Sequence, residues 1–440
     1  MKEPLISVGI LTSKEIRFDL YGEFISELSE KKFSGKFKAK LDGGRISICH
    51  EKKEILSGLE FTFAPNDLET ESFLLRDVVI GKNFHWEKKE NQRFRGALKL
   101  IIEKDQLTAV NLLPLEEYLI SVISSEMSAQ SSFELLKAHA IVSRGWLLSQ
   151  LEKKNKKSVS ESITEEEVLR WYDREDHENY DLCADDHCQR YQGVTKIISD
   201  KAADAITETR GLALTYENTI CDTRYSKCCG GVTESFENVW ETVKHPYLSS
   251  IVDYKFELDN SDNDLTKEKS AEQWIKNNPN AFCNTSDNKI LSQVLVDFDR
   301  SSNDFFRWKV EYMQDELSEI INRKSGIDFG KIIDMIPVLR GNSGRIIKLK
   351  IAGKKKTLTI GKELEIRRIL SPSHLYSSAF IVTKENIVDD IPQKFILHGA
   401  GWGHGVGLCQ IGAAVMGELG YGFDEILTHY FHGTKIQKLY

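Results

Sequence analysis

No stretch of this 440-residue chain approaches the eighteen or so consecutive apolar residues of a bilayer-spanning helix, so no membrane span is expected. Positive charge is not in excess either. Lysine and arginine total 59 against 67 acidic residues, a net charge of −8, which argues against a nucleic-acid binder that works by phosphate neutralisation and leaves room only for a local basic patch. No repeat occurs at solenoid periods. A small-residue cleavage site is also missing: the first apolar run, Leu5 to Leu11, ends at Ser13-Lys14-Glu15 and reads as a first strand rather than an export signal. The eight cysteines are modest in number, and their grouping is more informative. Cys49, Cys283 and Cys409 stand alone, whereas Cys183 and Cys188 form one group and Cys221, Cys228 and Cys229 another.

The length allows two or three lobes and a sizeable core. From residue 5 to about 112, short β-rich runs such as "ISVGIL", "LEFTFA" and "ALKLII" alternate with Gly, Asn, Asp and Lys clusters, which predicts an antiparallel strand-rich lobe. "LPLEEYLISVISSEM" then opens with Pro114 and sets Leu115, Leu119 and Val122 on one helical stripe with Tyr118 beside it. Ser131 followed by Glu134 predicts a capping box for a second helix. The expected fold class is α+β, with strand-rich lobes around a helical segment and a long substrate groove. Its expected parts are a lobe over 1–112; helices, a Cys/His loop and a Tyr-Ser/Gly-Gly segment over 113–254; a separate polar α/β section over 255–345; and strands with a glycine-rich motif over 346–440. Residues 113–440 are expected to act as one unit.

The motif "HGAGWGHGVGLCQIGAA" carries glycine at 399, 401, 403, 405 and 407. In an extended chain this leaves one face bare while Ala400, Trp402, His404, Val406 and Leu408 occupy the other, so something large must press on the bare face. A dinucleotide fingerprint fails by count, because the residue five places after each possible start is not glycine. Two readings remain: a tight crossing beneath another segment, or the floor of a groove on which a long polymer lies close to the backbone.

Glu126 falls near the end of the first predicted helix. A carboxyl there faces the negative pole of the helix dipole, which disfavours its ionised form, as does apolar cover; this is how a general acid is made, and an ordinary surface glutamate is the plain alternative. The loop "HENYDLCADDHC" offers His177, Cys183, His187 and Cys188, the two imidazoles and two thiolates of a closed structural zinc site. A Cys183–Cys188 disulfide and a chance cluster are the competing readings. Tyr225 and Ser226 are expected at a strand end before the Gly230-Gly231 turn, where Tyr225 could equally be an interface residue.

Taken in order, "LPLEEYLISVISSEM", "ELLKAHAIVSR", "CQRYQG", "RYSKCCGGVTESFENVW", "SGRI" with "SPSHLYSSAF", and "GWGHGVGLCQIGAAVMGELGYGFDEILTHYFHGTKI" resemble the stage II sporulation protein D family, which includes the amidase enhancers. The resemblance implies a lytic transglycosylase that cuts peptidoglycan glycan strands freed of stem peptides. It also implies that Glu126, in the "EM" dipeptide, is catalytic, and that zinc held by His177, Cys183, His187 and Cys188 supports the loop rather than activating water. Tyr225, Ser226, Trp402, His404 and Gln410 become candidate glycan-lining residues. Arg144, Arg224 and Lys227 are candidates to meet the lactyl carboxylates of a naked strand. The chain departs from the usual pattern at Ser128, where proline is common, at Ala138-His139 in place of alanine-glutamine, and at Leu408-Cys409 in place of methionine-serine. The expected partners are a glycan strand and a cell-wall amidase, with no nucleic acid. A non-catalytic amidase enhancer is the alternative function. The substrate points to the cell envelope or periplasm, and a cytoplasmic recycling role is the other reading.

Overall fold

A computed structural model describes residues 2–26, 29–81, 87–128, 130–153, 161–171, 177–185, 188–197, 199–255, 264–295 and 304–440. The chain divides into two compact units, one made of 1–129, 176–212 and 438–440, the other of 130–175 and 213–437. The α+β expectation holds: antiparallel sheets dominate both units and helices pack beside them.

The first unit is built on an eleven-stranded sheet. Its strands alternate as the sequence predicts; in Glu15–Ser26, Ile16, Phe18 and Phe24 are buried while Glu15 and Arg17 face out. The rings of Phe18, Phe33, Phe37 and Phe63 meet one another at centroid separations of 5.4–6.2 Å and form much of its core. Strand Leu5–Ser13 pairs antiparallel with Gln106–Pro114, and on its other side pairs parallel with the short strand Leu182–Cys183. Gln106–Pro114 leads directly into the helix Leu115–Glu126. Leu115, Tyr118, Leu119 and Val122 are all fully buried, so the predicted stripe is the packed face of this helix. Within the first unit Tyr118 stacks on Tyr191 at 4.9 Å and Ser121 donates to the Gly193 carbonyl at 2.9 Å.

In the second unit the helix Phe133–Lys153 is buried around most of its circumference, and its apolar residues share the buried surface with His139, Ser143, Arg144, Ser149 and Gln150. Its N-terminal hydroxyl is that of Ser132, which accepts from Leu135 N at 3.3 Å; Ser131 instead donates to the Gln293 carbonyl, and Glu134 is drawn off to accept from Phe423 N at 2.8 Å. The predicted capping box is therefore displaced by tertiary partners. Arg307–Met313 pairs with Ile391–Ala400 and Ile332–Arg340 with Ile346–Gly353, and one core runs through Trp308, Leu317, Leu349, Phe380 and Leu397. No helix among the described residues is long and apolar enough to cross a membrane.

Candidate functional site

In the first unit Glu126 is the last residue of the helix Leu115–Glu126, which stops because Met127 turns to extended geometry while its N–H still closes on the Ile123 carbonyl at 2.9 Å. No basic residue occupies the last turn, and Glu126 is 9 % exposed with no hydrogen bond or ion pair to its carboxylate among the described residues. The other end of the helix is anchored by a different glutamate. Glu116, also buried, accepts from Gly211 N at 3.1 Å and from the Tyr440 hydroxyl at 2.6 Å.

The same unit gathers three of the four expected metal ligands. Cys183 Sγ lies 3.5 Å from Cys188 Sγ, which lies 3.6 Å from His177 Nε2. His187 lies outside the described residues. The sulfur separation is far longer than the ~2.05 Å of a disulfide. It is close to the ~3.8 Å edge of a tetrahedron with zinc–sulfur bonds of ~2.3 Å, so the donor set fits a thiophilic ion. The loop is held to the sheet edge by main chain: Ala184 N donates to the Gly9 carbonyl at 3.0 Å, and Asp181 accepts from both N and Oγ of Ser7. Gly9 is required here, because a Cβ at that position would stand 2.5 Å from the Tyr180 ring, which in turn stacks on His177.

In the second unit two distant segments, 224–234 and 401–411, run together. Tyr225-Ser226 pairs parallel with Leu408-Cys409; Cys228 and Trp402 exchange N–H to carbonyl bonds at 3.0 and 2.8 Å; and Glu234 N donates to the Gly405 carbonyl at 2.8 Å. This crossing resolves the alternate glycines. From Gly401 to Gly407 the glycines have φ of +73° to +94°, so the loop is not extended. Their missing side chains make room for protein. A Cβ at Gly407 would lie 2.2 Å from the Arg224 carbonyl, and one at Gly405 would lie 2.4 Å from Arg345 Cζ. Of the two readings of the bare face, the tight crossing is the one observed: main chain fills it at Gly401 and Gly407, and the Arg345 guanidinium at Gly405. Arg345 is 1 % exposed and donates to the carbonyls of Gly403 and Cys229 and to Ser343 Oγ, at 3.0–3.2 Å. Arg345 lies in the motif "SGRI", whose sequence alone assigns it no role. The signal was a charged residue in an apolar strand context, which must find polar partners if buried.

Several expected lining residues do converge on this crossing. Gln410, buried, donates from Nε2 to His139 Nε2 at 3.0 Å, which leaves the imidazole proton on Nδ1 facing Ser143 Oγ at 3.2 Å; Tyr225 packs edge-on against the same imidazole at 4.6 Å. Burial, with the nearby Lys227 ammonium, pushes His139 down to about 3, so this imidazole is neutral. Ser226 is buried, and its hydroxyl has no partner among the described residues. Trp402 is half-buried, with Phe305 stacked on it at 4.7 Å and Tyr376 edge-on at 4.9 Å. His404 packs against Trp240 at 4.6 Å and accepts from Val406 N through Nδ1 at 3.0 Å, so its proton sits on Nε2. Burial and then the Arg224, Arg345 and Arg367 charges hold it well below the usual histidine range.

The charged candidates are placed differently from expectation. Arg144 is fully buried within its helix and offers no charge to a surface ligand. Arg224 is tied through Nε and Nη2 to Asp222 at 2.8 and 2.9 Å and lies over the Trp240 ring at 4.2 Å. Burial opposes the ionised form of Asp222, but Arg224 and Lys153 outweigh it and hold the carboxyl down to about 2. Lys227 spends a donor on the Val294 carbonyl at 3.0 Å.

The stage II sporulation protein family model matches residues 103–216, the span that carries Glu126 and the His177–Cys188 loop. Over that span the chain is similar to the SpoIID/LytB family, and curated relatives carry the names stage II sporulation protein D and amidase enhancer. A second model, a domain of unknown function called DUF8618, matches residues 234–407. The stage II sporulation protein D of Bacillus subtilis is 25% identical over 75% of the chain and 76% of its own length. An uncharacterised protein of Brachyspira hyodysenteriae is 26% identical over 78% of the chain and 72% of its own length. The amidase enhancer of Bacillus subtilis is 23% identical over 53% of the chain and 32% of its own length.

Proposed function

We propose that this protein acts on the bacterial cell wall as a lytic transglycosylase, cleaving the bond between N-acetylmuramic acid and N-acetylglucosamine in glycan strands freed of stem peptides. The observation that carries the reading is Glu126: a carboxyl near the end of a helix, nine-tenths covered and without a partner among the described residues. A pure binding protein has no use for an acid so held.

The chemistry needs one carboxyl. Protonated Glu126 donates to the glycosidic oxygen as the C1–O bond breaks and oxocarbenium character develops at C1. The muramyl 6-hydroxyl attacks C1, and its proton passes to the Glu126 carboxylate. A 1,6-anhydro ring forms and the acid is restored. Because the nucleophile belongs to the substrate, neither a second carboxylate nor a bound water is required. Tyr225, Trp402 and His404, each half-buried, are the residues left to this reading for glycan contact, since Ser226 and Gln410 are buried. A zinc ion on His177, Cys183, Cys188 and His187 would hold the loop in place; four protein ligands leave it no open position for chemistry.

The name of the amidase enhancer relative motivates a second reading, a glycan-binding protein that stimulates a cell-wall amidase. Mass spectrometry of products from amidase-treated glycan strands separates the two. The wild-type chain is expected to generate 1,6-anhydro-muramyl ends, and Glu126→Gln to lose on the order of 10²–10⁴ in rate. If the wild type yields no anhydro ends yet both proteins stimulate an added amidase equally, the enhancer reading replaces the catalytic one.

A further inference from the structure

We infer that the second unit contains a further metal site, closed and structural, in which Cys229, Cys283, Cys409 and Asp253 hold one thiophilic divalent ion of the zinc class. This site is separate from the His177–Cys188 loop, and the inference stands whether or not the chain cleaves glycans.

The four side chains come from four segments: the Gly230-Gly231 turn, the stretch after Val252, the turn after the helix Glu268–Lys276, and the start of the helix Gln410–Glu418. Their ligand atoms all lie within 4.8 Å of one another, and none of the four residues is more than 2 % exposed. Cys229 Sγ is 3.5 Å from Cys283 Sγ and 3.3 Å from Asp253 Oδ2. With bonds of ~2.3 Å to sulfur and ~2.1 Å to oxygen, a tetrahedral ion sets ligand edges of ~3.6–3.8 Å. The observed spacings are about 0.3 Å shorter than the corresponding edges, and the sulfur separation is far longer than the ~2.05 Å of a disulfide.

Charge argues the same way. Asp253 is fully buried, yet among the described residues its ion-pair partner is His429 at 3.7 Å, and no lysine or arginine reaches it. A carboxylate enclosed among thiols without a cation is unfavourable, and a divalent ion supplies the missing charge. The surrounding donors are already aimed at the ligand atoms, as an outer shell around a metal is. Gly231 N points at Cys229 Sγ at 3.4 Å, Cys229 N at Cys409 Sγ at 3.2 Å and Cys283 N at Asp253 Oδ2 at 3.2 Å; the Tyr430 hydroxyl donates to Asp253 Oδ1 at 2.7 Å. Beside them the Arg307 guanidinium, held by the carbonyls of Phe306, Gly230, Trp274 and Asn277, partly balances a site whose three thiolates and carboxylate outweigh a divalent ion. The ion would pin the Gly-Gly turn to the start of the helix that presents Gln410. It also gives a reason for cysteine at 409.

The test is metal content of the full-length protein, purified reduced, in a Cys183→Ser/Cys188→Ser background that removes the loop site. One zinc per chain is expected to remain. Adding Cys283→Ser should abolish it, whereas adding Cys228→Ser, a buried neighbour outside the ligand set, should leave it. Cobalt loading of the background protein should give strong thiolate-to-metal charge-transfer absorption. Should the background variant fail to fold, cadmium NMR of the wild-type chain serves instead, and a resonance from a three-thiolate site is expected. A folded background protein without bound metal, a wild-type spectrum lacking that resonance, or an intact mass short of two hydrogens through a Cys229–Cys283 disulfide would each overturn the inference.

Discussion

Replacing Gly405 by alanine tests whether the glycine-rich loop is a packed crossing. Gly405 has φ of +79°, and its missing Cβ would stand 2.4 Å from Arg345 Cζ and 2.5 Å from Nη1. The left-handed conformation alone costs an alanine about 1–2 kcal/mol. Arg345 cannot swing aside, since it is buried and its guanidinium is fastened to Gly403, Cys229 and Ser343. Displacing it breaks at least one charge-assisted hydrogen bond, worth about 1.5–3 kcal/mol. Gly405→Ala should therefore cost about 3–5 kcal/mol in all. Gly420 is the control: its φ is +89°, and a Cβ there meets nothing within 4 Å, so Gly420→Ala should cost only the conformational term. Urea unfolding followed by tryptophan fluorescence is suited to the comparison, because six of the seven tryptophans, Trp146, Trp171, Trp240, Trp274, Trp308 and Trp402, belong to the second unit. Equal losses in the two variants, within about 0.5 kcal/mol, would refute the role given to Arg345.

Two other consequences concern charge. His139 titrates at about 3 in the folded chain against 6.5 ordinarily, so as pH falls below 6.5 the unfolded chain binds the proton first and stability declines until about pH 3. Between pH 7 and pH 5 this amounts to a loss of about 2 kcal/mol. His139→Gln should flatten the pH dependence of the urea midpoint by that amount relative to wild type, and an unchanged slope would contradict the burial of a neutral imidazole. Asp222→Asn leaves Arg224 and Lys153 without their shared counter-charge and should cost about 3–5 kcal/mol, measured by the same unfolding assay; a loss below 1 kcal/mol would mean that solvent, not Asp222, balances these cations.

Local pattern in the sequence determined the elements. The spacing of Leu115, Tyr118, Leu119 and Val122 specified a helix and its buried face. Cysteine and histidine clustering located the loop whose described ligands, His177, Cys183 and Cys188, come together, because a few residues of chain suffice to bring them within reach. What fills each face was decided only in three dimensions. Arg345 beneath Gly405, Gln293 drawing off Ser131, Asp222 engaging Arg224, and the convergence of Cys229, Asp253, Cys283 and Cys409 join residues of which most are tens to hundreds of positions apart. Periodicity reports that a surface must be covered, since a helix or strand repeats over a few residues. It carries no information on which remote segment does the covering, because that choice depends on strand pairing and on the charge and volume available once the chain has closed on itself.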